Sequence, residues 1–217
     1  MAARVSKVRA LSMATEWASA LENLEAALLQ TDSLKDFIFR FVEEVPSTQD
    51  VARELAKAEG RPAIVLAGRQ SAGRGRCGRK WIGEKEGNVY LSLAIDRVRP
   101  DYDRSAFAFR LARRIAERFR EKFSIPLESA PPNDLFWEGK KVGGILVESI
   151  SGRDEIIVGV GMNLVPDEGL QSRCAQPVGF IDAPRSLKRE EVALLLWLAV
   201  AEFLPELRTP PTSHKNI

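Results

Sequence analysis

The apolar positions along the chain predict an alternation of helices and strands. Apolar residues spaced three and four apart indicate helices at 14–30, 50–60, 105–123 and 186–207. Alternating or continuous apolar runs indicate strands at 37–45, 62–68, 87–95 and 154–164, with two more strands in 130–149 around a tight turn at Glu138-Gly139. Strands at hairpin spacing, with helices between some of them, predict an α+β domain whose mixed, largely antiparallel sheet is flanked by helices.

A basic, glycine-rich loop separates the strand at 62–68 from the strand at 87–95. The stretch Gly73–Trp81, "GRGRCGRKW", holds three glycines and four cations in nine residues. Glycines let backbone N–H groups point into a concavity, and arginine forks suit phosphate or carboxylate, so the loop favours a small-anion site. It is not a Walker loop, because Gly-Lys-Ser/Thr is absent. A solvated hairpin tip or an RNA-binding arginine tract remains the alternative.

The composition of the chain limits which ligands this loop could bind and which kinds of site the protein could contain. The 217 residues carry a net charge of only +2, which argues against a general polyanion binder. The two cysteines, Cys77 and Cys174, lack metal-type spacing, and we expect a reducing, cytoplasmic location. The one histidine, His214, lies in a Pro/Thr/Ser-rich stretch, which excludes most zinc sites and every Ser-His-Asp arrangement. No apolar run approaches the ~20 residues of a membrane span.

Four other stretches contain candidate binding residues. Ser47-Thr48-Gln49 lies between a strand and a helix, where Ser47 with Asp50 also resembles a simple capping box. Gly143-Gly144 and Gly159-Val160-Gly161 place glycines inside strands, which often marks close approach of a ligand or backbone. Pro132-Asn133-Asp134 could be turn chemistry alone. Together they describe a small-residue floor, cations above it and a polar end, which would fit an apolar carboxylate plus a nucleotide.

Six motifs in this order resemble those of the biotin protein ligases. They are "STQ" (47–49), "QSAGRGRCGRKW" (70–81), "NVYLS" (88–92), "PNDL" (132–135), "KVGGILVE" (141–148) and "GVGMN" (159–163). The resemblance covers about residues 37–165 and implies the biotin/lipoate protein ligase fold, which is class II synthetase-like. It also implies ATP-dependent activation of biotin to biotinyl-5′-AMP and transfer to a lysine of a biotin carboxyl carrier domain, usually of acetyl-CoA carboxylase.

The resemblance also assigns roles to residues. Arg76 and Lys141 would be catalytic, as charge partners of the reacting phosphate. The biotin-binding residues would be Ser47, Thr48, Gln49, Gln70, Gly73, Arg74, Gly75, Arg76, Lys141 and Gly144. The ATP-binding residues would be Arg76, Arg79, Trp81, Asn88, Asn133, Lys141 and Asn163. Trp81 could equally be a core aromatic. Mg²⁺ would enter with ATP, and no side chain is assigned as a metal ligand.

The chain departs from the family pattern in three ways. Ala130-Pro131 stands where the family usually has Lys-Trp, which puts rate or ATP affinity in question. Residues 1–36, an N-terminal helical extension, are too few for the winged-helix domain of repressor-type members, so no DNA partner is expected. A catalytic domain at 37–207 and a tail at 208–217 leave no room for the family's small C-terminal β-barrel. A monomer or homodimer without membrane contact is expected.

Two other functions remain open at this point. A lipoate or octanoate ligase or transferase shares the fold, although the full GRGRxGR loop belongs to the biotin branch. A non-catalytic biotin- or nucleic-acid-binding relative is the other alternative, supported by Ala130 and the short C-terminal region.

Overall fold

The computed structural model describes Ala26 and residues 35–83, 86–150, 154–167, 169–181 and 187–209. The predicted helix at 14–30, apart from Ala26, lies outside the described residues, and so does 210–217 of the predicted tail. Within the described part, no helix is both long enough and apolar enough to cross a membrane.

The described residues form a seven-stranded sheet in the order β1-β2-β3-β7-β6-β5-β4. The strands are β1 (Ile38–Val45), β2 (Ala63–Gln70), β3 (Val89–Ile95), β4 (Glu128–Ala130), β5 (Asp134–Trp137), β6 (Lys140–Ser149) and β7 (Ile156–Met162). β1 and β2 are parallel, and all other neighbours are antiparallel. The predicted mixed, largely antiparallel sheet is therefore confirmed, while the short β4 begins before the predicted strand pair.

Within the described residues from 35 to 209, four α-helices accompany the sheet: α1 (Thr48–Glu59), α2 (Arg104–Phe123), α3 (Arg189–Ala201) and α4 (Leu204–Leu207). α1 ends where expected, at Gly60, whose φ of 62° suits a residue without Cβ. The predicted unbroken closing helix at 186–207 is wrong, because α3 ends at Ala201 and α4 begins three residues later. Pro205 explains the break, since its ring clashes with the carbonyl four residues back and it has no N–H to donate.

The two faces of the sheet are covered by different helices. Along β2, Ile64 and Leu66 belong to the main core, which includes α2 and α3, whereas Ala63 and Val65 pack with Ala52 of α1. Because side chains alternate between faces along a strand, this pattern puts α1 on one side of the sheet and α2 and α3 on the other. The glycines and polar residues of the candidate site lie on the α1 side, beyond the start of α1.

Ion pairs connect α2 to the C-terminal region formed by α3, α4 and the residues between them. Arg110 pairs with Glu206 at 2.8 Å, and Arg114 and Arg118 both pair with Glu202, the former at 2.6 Å. Burial alone would raise the pKa of Glu202, but hydrogen bonds from the two arginines outweigh it and hold that pKa below its ordinary value. The carboxylate form therefore stabilises the fold above the unfolded-state pKa, and this stabilisation disappears as the pH falls through the folded-state pKa.

We expect Glu202→Gln to lower Tm at pH 7 by about 2–4 °C, since partly exposed ion pairs contribute about 1 kcal/mol or less. The difference from wild type should shrink as the pH is lowered from 5 to 3, because the wild-type carboxylate then becomes protonated. Thermal unfolding followed by circular dichroism measures both values. Glu128→Gln, at an exposed position, is the control, and an equal shift in that variant would contradict the explanation.

Candidate active site

The predicted motifs converge on one pocket on the α1 side of the sheet. Its walls come from the start of α1, the end of β2, the basic loop, the glycines of β6 and β7, and the segment after β7. The predicted residues that line it are Ser47, Thr48, Gln49, Gln70, Arg74, Gly75, Arg76, Arg79, Trp81, Asn133, Lys141, Gly144 and Asn163. Gly73 lies in the adjoining groove along the basic loop.

Asn88 is the predicted site residue that lines neither this pocket nor the adjoining groove. Its Oδ1 accepts hydrogen bonds from the backbone N–H groups of Leu164 and Val165 at 2.8 and 3.0 Å, and its Nδ2 donates to the Tyr90 hydroxyl. The side chain thus fastens the segment after β7 to β3. An ATP contact by Asn88 remains a prediction from sequence.

The polar end of the pocket is a chain of hydrogen bonds with a fixed direction. Gln70 Oε1 accepts from the Thr48 N–H at 2.8 Å and from the Thr48 hydroxyl at 3.0 Å. The Thr48 hydroxyl proton is therefore committed to Gln70, so Ser92, 2.8 Å away, must be the donor to Thr48 Oγ1. This leaves Gln70 Nε2 as a donor and the Ser92 lone pairs as acceptors.

Ser92 was not among the predicted site residues, although its motif was recognised. The available signal was a polar residue in the middle of an apolar strand, and Ser92 is 0% exposed. Ser47, in turn, is at the N-cap position of α1 but makes no side-chain cap hydrogen bond. The capping-box alternative therefore does not form, and the Asp50 carboxylate binds arginines instead.

The floor of the pocket is a pair of glycines covered by an indole ring. Gly144 of β6 is the register partner of Gly161 of β7. A Cβ added to Gly161 would lie 2.6 Å from Trp81 Cε2, and one added to Gly144 would lie 3.3 Å from Trp81 Cζ3. A side chain at Gly161 would therefore overlap the Trp81 ring, while one at Gly144 would press closely against it. The Trp81 indole N–H is buried without a partner among the described residues.

Lys141 and Asp134 form an ion pair in the pocket. Lys141 Nζ is 2.8 Å from Asp134 Oδ1, both side chains are largely buried, and Nζ lies 6.0 Å from the centre of the Trp81 ring. Asp134 was missed as a site residue, although it belongs to the recognised "PNDL" motif. Its carboxylate fixes the position of the predicted catalytic ammonium group.

Two asparagines anchor backbone around this ion pair. Asn133 Nδ2 donates to the Ile145 carbonyl at 2.6 Å, and its Oδ1 accepts from Arg76 at 3.4 Å. Asn163 Nδ2 donates to the Gly179 carbonyl at 3.0 Å. Both therefore shape the pocket wall, and their predicted contacts with ATP remain predictions.

The four cations of the basic loop divide into two groups. Arg74 binds the carboxylates of Asp50 and Glu148, and these hydrogen bonds raise the Arg74 pKa and lower the Asp50 pKa. Arg76, Arg79 and Lys80 line the pocket and form no ion pair with a carboxylate in the described ranges. These three cations are available for an anion, and the small-anion site itself remains a prediction from the loop sequence.

The segment after β7 supplies a wall that sequence reasoning missed. Leu170, Cys174, Gln176 and Val178 all line the pocket. The Lys141 N–H donates to the Pro177 carbonyl and Gly179 N–H donates to the Lys141 carbonyl, so this segment pairs with the start of β6. It has neither apolar periodicity nor a recognised motif, and for this reason it was predicted only as a loop.

Comparison with known proteins gives the family. The model of the biotin/lipoate A/B protein ligase family matches residues 41–163. The chain belongs to this family. A biotin–[acetyl-CoA-carboxylase] ligase of Paracoccus denitrificans is 32% identical over 183 residues, which are 75% of this chain and 71% of the relative. The bifunctional ligase/repressor BirA of Bacillus subtilis is 33% identical over 54% of this chain, and the match spans only 38% of BirA.

Solved structures agree on the fold of this family member. A biotin protein ligase of Aquifex aeolicus in complex with biotin and ATP has a TM-score of 0.65 at 28% identity, covering 77% of this chain and 70% of that one. A Leishmania major biotin protein ligase in complex with biotinyl-5-AMP has a TM-score of 0.62 at 26% identity, covering 78% and 76%. The fold expected from the sequence motifs is confirmed.

We expect Gly161→Ala to lower the free energy of unfolding by about 1–3 kcal/mol, because the new methyl group would overlap the Trp81 ring. In a Trp81→Ala background the same change should have a smaller effect, since the overlapping ring is gone. Urea unfolding of the two single variants and the double variant measures this coupling. Simple additivity of the two effects would show that Trp81 does not occupy the glycine floor.

Proposed function

We propose that the chain activates biotin with ATP to biotinyl-5′-AMP and then transfers the biotinyl group to a lysine of a carrier domain. The observation that carries the proposal is the joint presence in one pocket of a directional polar end wall, a glycine floor and three cations that have no carboxylate partner among the described residues. Biotin has a polar ring system at one end and a carboxylate at the other, so its two ends match the two ends of the pocket.

The proposed chemistry consists of two acyl transfers. The biotin carboxylate attacks the α-phosphorus of ATP, the bond to the β-phosphate oxygen breaks, and pyrophosphate leaves. The amine of the carrier lysine then attacks the mixed anhydride, forming an amide and releasing AMP. Both steps depend on positioning and charge stabilisation and do not require a nucleophilic side chain of the protein. The pocket agrees with this, because its described lining residues include no histidine that could activate a nucleophile.

Arg76 and Lys141 are the residues proposed to meet the reacting phosphate. Arg76 reaches across from the basic loop to Asn133, and Lys141 lies at the start of β6 beside Asp134. A charge from the loop and a charge from the sheet thus face the same part of the pocket. Mg²⁺ would arrive bound to the phosphates of ATP, with Arg79 and Lys80 on the same side.

The end wall favours biotin over lipoate or octanoate. Gln70 Nε2 offers N–H donors and Ser92 offers an acceptor, both more than nine-tenths buried. The urea group of biotin has a carbonyl flanked by N–H groups and can satisfy both. An octanoyl chain or a dithiolane ring would leave them unpaired, at about 1–3 kcal/mol for each group.

The partner is proposed to be a biotin carboxyl carrier domain of a carboxylase. The support is the Paracoccus denitrificans relative, whose name specifies acetyl-CoA carboxylase. A cytoplasmic location, a monomeric or homodimeric state and the lack of a DNA target remain predictions from the sequence.

Biotin-dependent exchange of pyrophosphate into ATP is the experiment that tests the function. The wild-type chain should exchange with biotin at least 100-fold faster than with lipoate or octanoate. Faster exchange with either of these acids would favour the lipoate-type alternative. Biotin binding without exchange would identify a non-catalytic relative.

Arg76→Ala and Lys141→Ala should each lower the exchange rate by on the order of 10²-fold or more, because each removes a charge partner of the reacting phosphate. Arg113→Ala and Lys57→Ala, at exposed positions on α2 and α1, are the matched controls and should exchange at the wild-type rate. Wild-type rates in both pocket variants would refute the assigned roles.

A further inference from the structure

Arg74 is the loop cation whose guanidinium group is fully engaged by the body of the protein. Its Nη1 and Nη2 donate to Asp50 at 2.6 and 2.9 Å, and its Nη2 and Nε donate to Glu148 at 3.0 and 3.2 Å. Two-point binding to two separate carboxylates fixes the plane of the guanidinium as well as its position. The biotin contact that the family resemblance implies for Arg74 remains a prediction.

Both carboxylates are held in place by further contacts. Arg53 donates to Asp50 at 3.1 Å and to Glu148 at 3.3 Å, and Gln49 Nε2 donates to Glu148 at 2.9 Å. Gln49 and Asp50 are in the first turn of α1, and Glu148 is near the end of β6. The cluster therefore joins a helix, a strand and the basic loop at one point beside the pocket.

The rest of the loop forms hydrogen bonds mainly with itself, and the Trp81 ring at its end packs against Gly144 and Gly161. Gly75 N–H donates to the Arg79 carbonyl at 2.7 Å, and Trp81 N–H donates to the Gly73 carbonyl at 2.9 Å, so 73–81 forms a small hairpin. The side-chain hydrogen bond from Arg76 to Asn133 is long, at 3.4 Å. Among the described residues, Arg74 is thus the loop residue with short charged contacts to the protein body.

We propose that the cluster of Arg74, Asp50 and Glu148 is a latch that holds the basic loop over the pocket before substrate binds. Arg74 is then a positioning residue: it fixes the hairpin so that Arg76, Arg79 and Lys80 face the pocket in the free protein. A loop that is already ordered loses less conformational entropy on binding. The latch should therefore act mainly on substrate affinity and less on the rate of the bound complex.

The first test is limited proteolysis of the free, full-length chain with trypsin. Asp50→Asn combined with Glu148→Gln removes both charges from the latch but leaves every trypsin site intact. We expect cleavage within 74–80, mapped by mass spectrometry, to become at least 10-fold faster than in wild type. Glu54→Gln, an exposed carboxylate on the same helix, is the matched control and should leave the rate unchanged.

Two outcomes of the proteolysis would overturn the latch. An unchanged rate of loop cleavage in the double variant would mean that the hairpin holds its own position. Faster cleavage spread over the whole chain, with a lowered Tm, would mean that the cluster maintains the fold instead of the loop. Neither result depends on biotin or ATP, so this test stands even if the proposed function fails.

The second test rests on the proposed function and measures exchange kinetics. Arg74→Gln should raise the KM for biotin about 10-fold or more while kcat stays within about threefold, and Arg74→Lys should recover part of the affinity. A fall in kcat at unchanged KM would place Arg74 in the chemistry and contradict a positioning role. If wild type shows no exchange, the proposed function fails and the proteolysis alone decides the latch.

Discussion

The pairing of β6 with β7 is the constraint on which the site depends. Their register sets Gly144 opposite Gly161 and leaves a patch of sheet without side chains on the α1 face. Only there can the Trp81 ring come within van der Waals contact of the backbone. A shift of one residue would turn these positions to the other face and put the side chains of Ile145 and Val160, which belong to the main core, on the pocket face of the sheet. The hydrophobic core on one face therefore enforces the geometry of the floor on the other.

The cations of the basic loop have two different structural roles, and the sequence does not show which cation has which role. All four cations have the same charge and similar spacing, yet one is neutralised by carboxylates and three are left to face the pocket. The difference comes from the body of the protein, because Asp50 and Glu148 lie where Arg74, alone among the four cations of the loop, contacts both. A net charge close to zero is thus compatible with a local excess of positive charge at the site.

Most of the fold could be predicted from the apolar pattern, since the alternation at 37–45, the continuous apolar run at 62–68 and the amphipathic spacing at 105–123 are strong signals. The break before Leu204 was missed because the apolar pattern continues across Pro205. In the site, Ser47–Gln49 were predicted from the family motif, and all three residues line the pocket. The contact of Arg74 with Glu148 could not be predicted, because the two residues are 74 positions apart and no local pattern records such a pairing. The wall formed by residues 170–178 is positioned by tertiary contacts alone, such as the hydrogen bond from the Lys141 N–H to the Pro177 carbonyl.

The parallel pairing of β1 with β2 has a consequence for how the pocket is divided. Because α1 is the crossover between two parallel strands, both strands end at the same edge, which brings Ser47 and Thr48 next to Gln70. The end proposed to recognise the acid is thus largely built by one strand–helix–strand unit, with Ser92 from β3. The end that holds Lys141 and Asp134 is built by the antiparallel hairpin of β5 and β6. Under the proposed function, substrate choice and reactivity therefore belong to separate structural units, and mutations that change the preferred acid could accumulate in the first unit while the second keeps its chemistry.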